Sequence, residues 1–251
     1  MSRPPLGSTL DLLGLHIPWY SLLMMIAVAV GIALAVREER RLRLPKDTIL
    51  NLSLLAIPLG VVGARLYYVA FTWSRYENNL LEILRLWNGG LAIYGAVLGG
   101  LVAVVIYSRF AKVSAAALVD ACAPSVVLAQ AIGRWGNYAN MEAYGARIYD
   151  KAAQFFPLAV EIRLVGANGT EYWYWHMATF FYEFVWNLIV FSVLMAKRKR
   201  MKRPGDVCCW YLLLYCAGRT VIEGLRDDSL MLNVAAAQVR FSQILSAVVC
   251  L

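Results

Sequence analysis

Arginine, asparagine and glutamate next to long apolar runs are the residues with which this chain could do chemistry. The stretch 133 to 145 reads GRWGNYANMEAYG and sets Arg134, Asn137, Asn140 and Glu142 directly after an apolar segment. A second set, Arg219, Glu223 and Arg226, recurs at i, i+4 and i+7, so it shares one helix face and one glutamate can hold two arginines. Arg65 sits inside another apolar run, and Tyr20 and Tyr94 lie near the ends of two more. Charged side chains at membrane depth cost several kcal/mol unless paired or water-exposed, so they mark sites. Three arginines at one depth call for an anion, and the planar multi-donor guanidinium suits phosphate.

The elements that must carry these groups are membrane spans. Of 251 residues 61% are hydrophobic and 16% charged, which is far more apolar than a soluble domain. A spanning helix needs about 20 mostly apolar residues. The runs at 17–36, 48–73, 86–108, 113–133, 172–196 and 207–223 meet or approach that, and a further one over 238–251 stops at Leu251 as a span cut short. The fold class expected is all-α and polytopic, a single transmembrane domain over 1–251 with about seven spans. The first span is read as retained, because the start of the chain lacks the basic-then-short-apolar form of a cleaved signal peptide.

Short loops rich in Lys and Arg favour the cytoplasmic side. Arg37, Arg40, Arg41, Arg43 and Lys46 follow the first run, and KRKRMKR from Lys197 follows the fifth. That places the N-terminus outside, and it makes the net charge of +8 an orientation signal rather than a sign of nucleic-acid binding. Residues 134–171 then form an extracytoplasmic segment, in which AVEIRLVGANGTEYWYW alternates about Asn168-Gly169, a two-residue hairpin signal. Gly95 and Gly99, four apart, offer a close helix contact, whereas Gly133, Gly136 and Gly145 are expected outside the fourth span, where the backbone bends toward a headgroup. Cys122, Cys208, Cys209, Cys216 and Cys250 lack metal-ligand spacing and are expected to be small buried hydrophobes.

The motif GRWGNYANMEAYG closely resembles the signature of the prolipoprotein diacylglyceryl transferase family, Gly-Arg-x-Gly-Asn-Phe/Tyr-x-Asn-x-Glu. IPWYSLL, GARLYYV, NGGLAIYG, TFFYEFVWN and GRTVIEGLRDDSL extend the resemblance along nearly the whole chain in order. It implies an enzyme of the bacterial inner membrane, with its site toward the extracytoplasmic side. The reaction it implies moves the diacylglyceryl group of phosphatidylglycerol onto the lipobox cysteine thiol of a prolipoprotein and releases glycerol phosphate. Arg134 and Arg219 would then bind the phosphate, and Asn137, Asn140 and Glu142 would orient the glycerol hydroxyls. Tyr20, Arg65, Glu223 and Arg226 complete the expected substrate-binding set. The expected partners are phosphatidylglycerol, the lipobox peptide and membrane lipid, with no cofactor and no metal.

Tyr94 stands where many members of that family carry histidine. Activation of the thiol therefore falls to Tyr94, to the field of Arg134 and Arg219, or to a carboxylate, Glu142 or Glu223. A non-enzymatic receptor or anion transporter would also use an arginine-lined cavity, but it would leave protein and lipid chemically intact.

Overall fold

Backbone N–H and C=O groups inside a bilayer must find partners within the protein, so a long apolar segment there is stable as a helix. The structure, a computed structural model, describes residues 9–12, 15–165, 169–226, 231–234 and 237–240. Among the described residues, five helices are long and apolar enough to cross a membrane: α1 (Trp19–Leu42), α2 (Thr48–Phe71), α3 (Ile93–Ala111), α4 (Ala115–Ala139) and α5 (Thr179–Lys197). The protein is therefore a helical membrane protein. The sixth expected span coincides with α6 (Asp206–Glu223), which is set apart from those five by the ionised Asp206, Arg219 and Glu223 within its 18 residues. The seventh expected span begins at 238, but Ala237–Arg240 is a strand, β6, paired antiparallel with β5 (Met231–Val234). Residues 241–251 of that expected span lie outside the described residues.

The chain divides into two compact units, Met1–Gly31 with Ala123–Leu251, and Ile32–Cys122. In the second unit, the basic stretch expected as a loop after the first span is helical as far as Leu42. The helix continues because its last turn caps the next one. The Glu39 carboxylate accepts the backbone N–H of Asp47 at 3.2 Å and of Ile49 at 2.7 Å. Those donors at the start of α2 would otherwise lack a partner. Ala35, Ile49, Leu52, Ala103, Leu118 and Ala121 form the core of this unit.

The small-residue contact anticipated at Gly95 and Gly99 joins α2 to α3. A Cβ on Gly95 would collide with the Gly63 carbonyl, and one on Gly99 with the carbonyl of Leu59. Gly95→Leu is expected to lower the thermal unfolding midpoint in detergent, at a cost of about 1–3 kcal/mol or more for overpacking. Gly100→Ala, on the same helix with nothing near its Cβ position, should leave the midpoint unchanged or slightly raised.

Span three starts at Ile93 rather than 86, because Gly89 and Gly90 take φ of 77° and 76° and stop any helix there. Between α2 and α3 the chain makes three short 3-10 turns, Trp73–Arg75, Leu80–Leu84 and Leu86–Asn88.

In the first unit, Ala123, Val127, Val190, Leu194 and Val207 pack α4, α5 and α6 together. A second cluster, Val160, Ile162, Ala178 and Phe180, with Trp135 and Tyr138 against it, joins the end of α4 to the start of α5. The expected hairpin is present as β3 (Ala159–Val165) and β4 (Glu171–Met177), in register from Ala159↔Met177 to Val165↔Glu171. Gly169 has φ 78°, and Asn168 lies outside the described residues. Span five consequently begins at Thr179 and not at 172: the aromatic, period-two run from Tyr172 is satisfied by strand pairing instead.

A further hairpin, β1 (Thr9–Leu12) with β2 (Leu15–Pro18), precedes α1 and takes the first two residues of the expected first span. Three of the cysteine expectations also change. Cys216 is buried, but Cys122 and Cys208 are only partly so and Cys209 is exposed; Cys250 is outside the described residues.

Candidate active site at the end of α4

Helix α4 continues to Ala139, so Gly133 and Gly136 are helical residues rather than a bend outside the span. The reason is close packing. A Cβ on Gly136 would lie 2.7 Å from the Tyr20 ring, which therefore rests directly on the α4 backbone. Arg134 and Asn137 occupy this last part of α4, and the Arg134 Nη1 donates to Asn137 Oδ1 at 3.4 Å. Trp135 fixes the rotation of the helix by edge-on contacts with Phe180, Phe181 and Phe184 of α5.

Past α4 the chain turns through two left-handed residues on either side of Glu142, Met141 and Ala143, each with φ 55°. Such a conformation costs about 1–2 kcal/mol for a residue with a side chain. It is held by the N–H of Glu142 on the Asn137 carbonyl at 2.8 Å and by the Thr179 hydroxyl, which donates to the Ala143 carbonyl at 2.6 Å. Asn140 and Glu142 are thereby left exposed at the turn. Thr179→Val keeps the shape and removes that donor. It is expected to cost about 1–3 kcal/mol, the penalty for an unmet buried acceptor, read as a lowered unfolding midpoint.

The strip that follows is stitched to both β4 and the residues after α6. Gly145 N–H donates to Met177 O at 3.0 Å, and Ala146 N–H to Leu225 O at 3.1 Å. Gly145 also bridges to Arg226. A Cβ at Gly145 would lie 2.5 Å from the Leu225 carbonyl, so only glycine permits this crossing. His176 is buried, its Nδ1 2.9 Å from the Gly145 carbonyl and its ring against Tyr144.

At the centre is a five-residue ionic cluster. Glu183 of α5 pairs with Arg134 of α4 through one carboxylate oxygen and with Arg219 of α6 through the other. Arg219 also pairs with Glu223 at 2.6 Å, and Arg226 lies 3.6 Å from the same Glu223 oxygen. Three guanidinium groups face two carboxylates, so the cluster is net positive. The carboxylates are almost wholly covered, with 6% and 4% of their side chains exposed for Glu183 and Glu223, while Arg134 and Arg219 keep 17% and 16%. The negative groups thus form a floor, and the donors above it remain reachable by an anion.

Tyr20, Arg134, Asn137, Asn140, Glu142, Arg219, Glu223 and Arg226 therefore belong to one unit, carried by the start of α1, by α4, by α6 and by the residues that follow α4 and α6. Arg65 and Tyr94 belong to the other. Tyr94, in α3, has its ring 6.2 Å from that of Tyr67. Arg65 is buried, and all five of its N–H donors are directed at backbone carbonyls: Ile83 at 2.8 Å, Gly89 at 2.6 Å, Gly90 at 3.0 Å, Glu82 at 2.6 Å and Arg85 at 3.3 Å.

One residue of the cluster, Glu183, is missing from the set that the sequence points to. Its signal is an acidic side chain alone in an apolar run, TFFYEFVWN. Pairing the arginines with the glutamates nearest in sequence hides it.

The profile of prolipoprotein diacylglyceryl transferase matches residues 8–251. The chain belongs to the prolipoprotein diacylglyceryl transferase family. Relatives named phosphatidylglycerol–prolipoprotein diacylglyceryl transferase include one from Streptococcus suis (strain 05ZYH33), 39% identical over 239 residues, 94% of this chain and 85% of that protein. Another, from Listeria monocytogenes serotype 4b (strain CLIP80459), is 40% identical over 233 residues, 92% of this chain and 81% of the relative. One from Streptococcus equi subsp. zooepidemicus (strain MGCS10565) is 39% identical over 230 residues, 91% of this chain and 85% of its own length. The family read from GRWGNYANMEAYG is thus the family of the whole chain.

Proposed function

We propose that this chain transfers the diacylglyceryl group of phosphatidylglycerol to the lipobox cysteine of bacterial prolipoproteins. The observation that carries the reading is the net-positive cluster of Arg134, Arg219 and Arg226 over a buried carboxylate floor, in a chain of this family. The lipid carries one negative charge, on its phosphodiester. In the transfer the thiol sulfur bonds to the carbon of the diacylglycerol moiety that bears the phosphate. The carbon–oxygen bond breaks, and its electron pair leaves with glycerol phosphate.

Charge therefore grows on the phosphate as the bond breaks. Donors already aimed at it in a site partly closed to water stabilise that state more than the ground state. Arg134 and Arg219 are the residues we place on the phosphate, with Arg226 and Glu223 steadying Arg219 and Tyr20 lining the approach. Asn137, Asn140 and Glu142, presented by the end of α4 and the strained turn, are placed on the glycerol hydroxyls. The thiol proton goes to Tyr94, to a carboxylate, or to bulk water once the arginine field has favoured thiolate. Glu223 is already engaged by Arg219 and Arg226, which leaves Glu142 as the carboxylate with room for substrate. Arg65, its donors all taken by carbonyls, serves as a support.

We place the N-terminus and the site on the extracytoplasmic side of the inner membrane, with the basic stretches at Arg37–Lys46 and Lys197–Arg203 in the cytoplasm. On this reading α6 is a sixth span. The test is direct. Purified protein is incubated with phosphatidylglycerol and a synthetic lipobox peptide, and the peptide is weighed by mass spectrometry. A diacylglyceryl mass gain that requires the peptide cysteine supports the reading. A folded chain that gives no gain overturns it.

A further inference from the structure

The segment between α2 and α3 exposes a run of large apolar side chains over 80–93 and covers a charged one, which is unusual for a water-soluble loop. Its exposed residues include Leu80, Leu81, Leu84 (72% exposed), Trp87 (80%) and, where α3 begins, Ile93. Its interior is the buried Arg65 guanidinium, with Tyr76, 3% exposed, lying 5.2 Å beneath it. Arg65 donates to five carbonyls of this segment, at Glu82, Ile83, Arg85, Gly89 and Gly90; those of Glu82 and Arg85 also accept a backbone N–H, from Arg85 and Asn88, in the 3-10 turns.

A loop in water has no need of such an arrangement, since solvent satisfies its carbonyls and covering it with leucine is unfavourable. In lipid both features are required. Irregular backbone there is tolerated only where the protein meets its polar groups, and leucine and tryptophan are the side chains that favour the boundary between headgroup and acyl chain. The segment is also tied at both ends to helices that cross the membrane, α2 ending at Phe71 and α3 starting at Ile93. Its exposed charges, Arg75, Glu77 and Arg85, are few and of mixed sign, as suits a headgroup layer.

We propose that residues 73–93 are an interfacial element embedded among the acyl chains and headgroups of the bilayer, and that Arg65 makes this possible by replacing water at its backbone carbonyls. The partner is the lipid surface itself. This assigns Arg65 a positioning role and does not depend on the transfer reaction.

The test uses the full chain in vesicles of phosphatidylcholine, with the photoreactive residue benzoylphenylalanine placed at Leu84, at Trp87, or at the exposed Asn78 as a polar comparison. After irradiation, adducts are identified by mass. The probe at 84 or 87 is expected to yield phospholipid adducts several-fold more often than the probe at 78. Equal yields at the three positions, or adducts at 84 and 87 with a second copy of the protein in place of lipid, would overturn the proposal.

Arg65→Lys keeps the charge but offers at most three donors. It is expected to bring the yield at 84 down toward that at 78 and to speed amide exchange over 80–90, with exchange in α5 and α6 unchanged. An unchanged yield would remove Arg65 from the account. The lipid contact itself is decided in chains that keep Arg65, whatever the lysine variant does to the fold.

Discussion

Arg134→Ala and Arg219→Ala are each expected to lower kcat/KM for diacylglyceryl transfer by about 10²–10³, the usual loss when a preorganised donor to developing charge is removed. Both side chains sit partly open above Glu183, and both are held in place before any lipid arrives. Their orientation is therefore settled by folding and needs no reorganisation at the moment of reaction. Lysine at either position should recover only part of the rate, because a point charge cannot reproduce two parallel N–H donors on a phosphate. The measurement is peptide lipidation followed by mass spectrometry at limiting and at saturating phosphatidylglycerol. A fall that persists at saturation places the arginine on the departing phosphate, whereas one confined to KM places it on the resting lipid. A rate within about tenfold of the parent for either variant would take that arginine away from the reacting phosphate.

Much of this architecture is legible in the chain itself, and the reason differs from element to element. Five spans can be read because the requirement on them is compositional: about 20 apolar residues in a row leave few alternatives in lipid. The β3–β4 hairpin is readable because period-two alternation and a glycine-containing turn are local signals. Within α6 the sharing of Glu223 by Arg219 and Arg226 follows from helical spacing alone.

What escapes such reading is boundaries and pairings set by tertiary context. Residues 172–177 are as apolar as a span, but their hydrogen bonds go to β3. The stretch 86–92 is uncharged and looks continuous with span three, yet Gly89 and Gly90 adopt φ values that no helix accepts. Arg65 resembles a ligand residue because a buried arginine normally seeks an anion; its partners are neutral carbonyls 17 to 25 residues away. Such a coordination shell leaves no trace in residue type, since every amino acid supplies the same carbonyl.

The clearest such case is Glu183, and it yields the other large effect. Removing one partner of a buried ionic group typically costs about 3–5 kcal/mol, because the charges left behind have neither water nor a counter-ion. Glu183→Gln keeps the size of the side chain and leaves Arg134 and Arg219 facing each other, so a loss of stability of that order is expected, read as a lower unfolding midpoint in detergent. A purely structural glutamate would show only that loss. A residue that spaces two phosphate-binding guanidinium groups should show two further effects. Inorganic phosphate, taking the place of the missing carboxylate between the arginines, should raise the midpoint of the variant more than that of the parent. In the transfer reaction the variant should bind phosphatidylglycerol with a lowered KM, since its cluster is more positive, while kcat falls because the arginines no longer hold their separation. Glu183→Asp, which restores the charge on a shorter stem, should lie between parent and Gln variant in both respects. If phosphate stabilises the Gln variant no more than the parent, and KM is unchanged or raised, then the glutamate holds the helices and does not set the site.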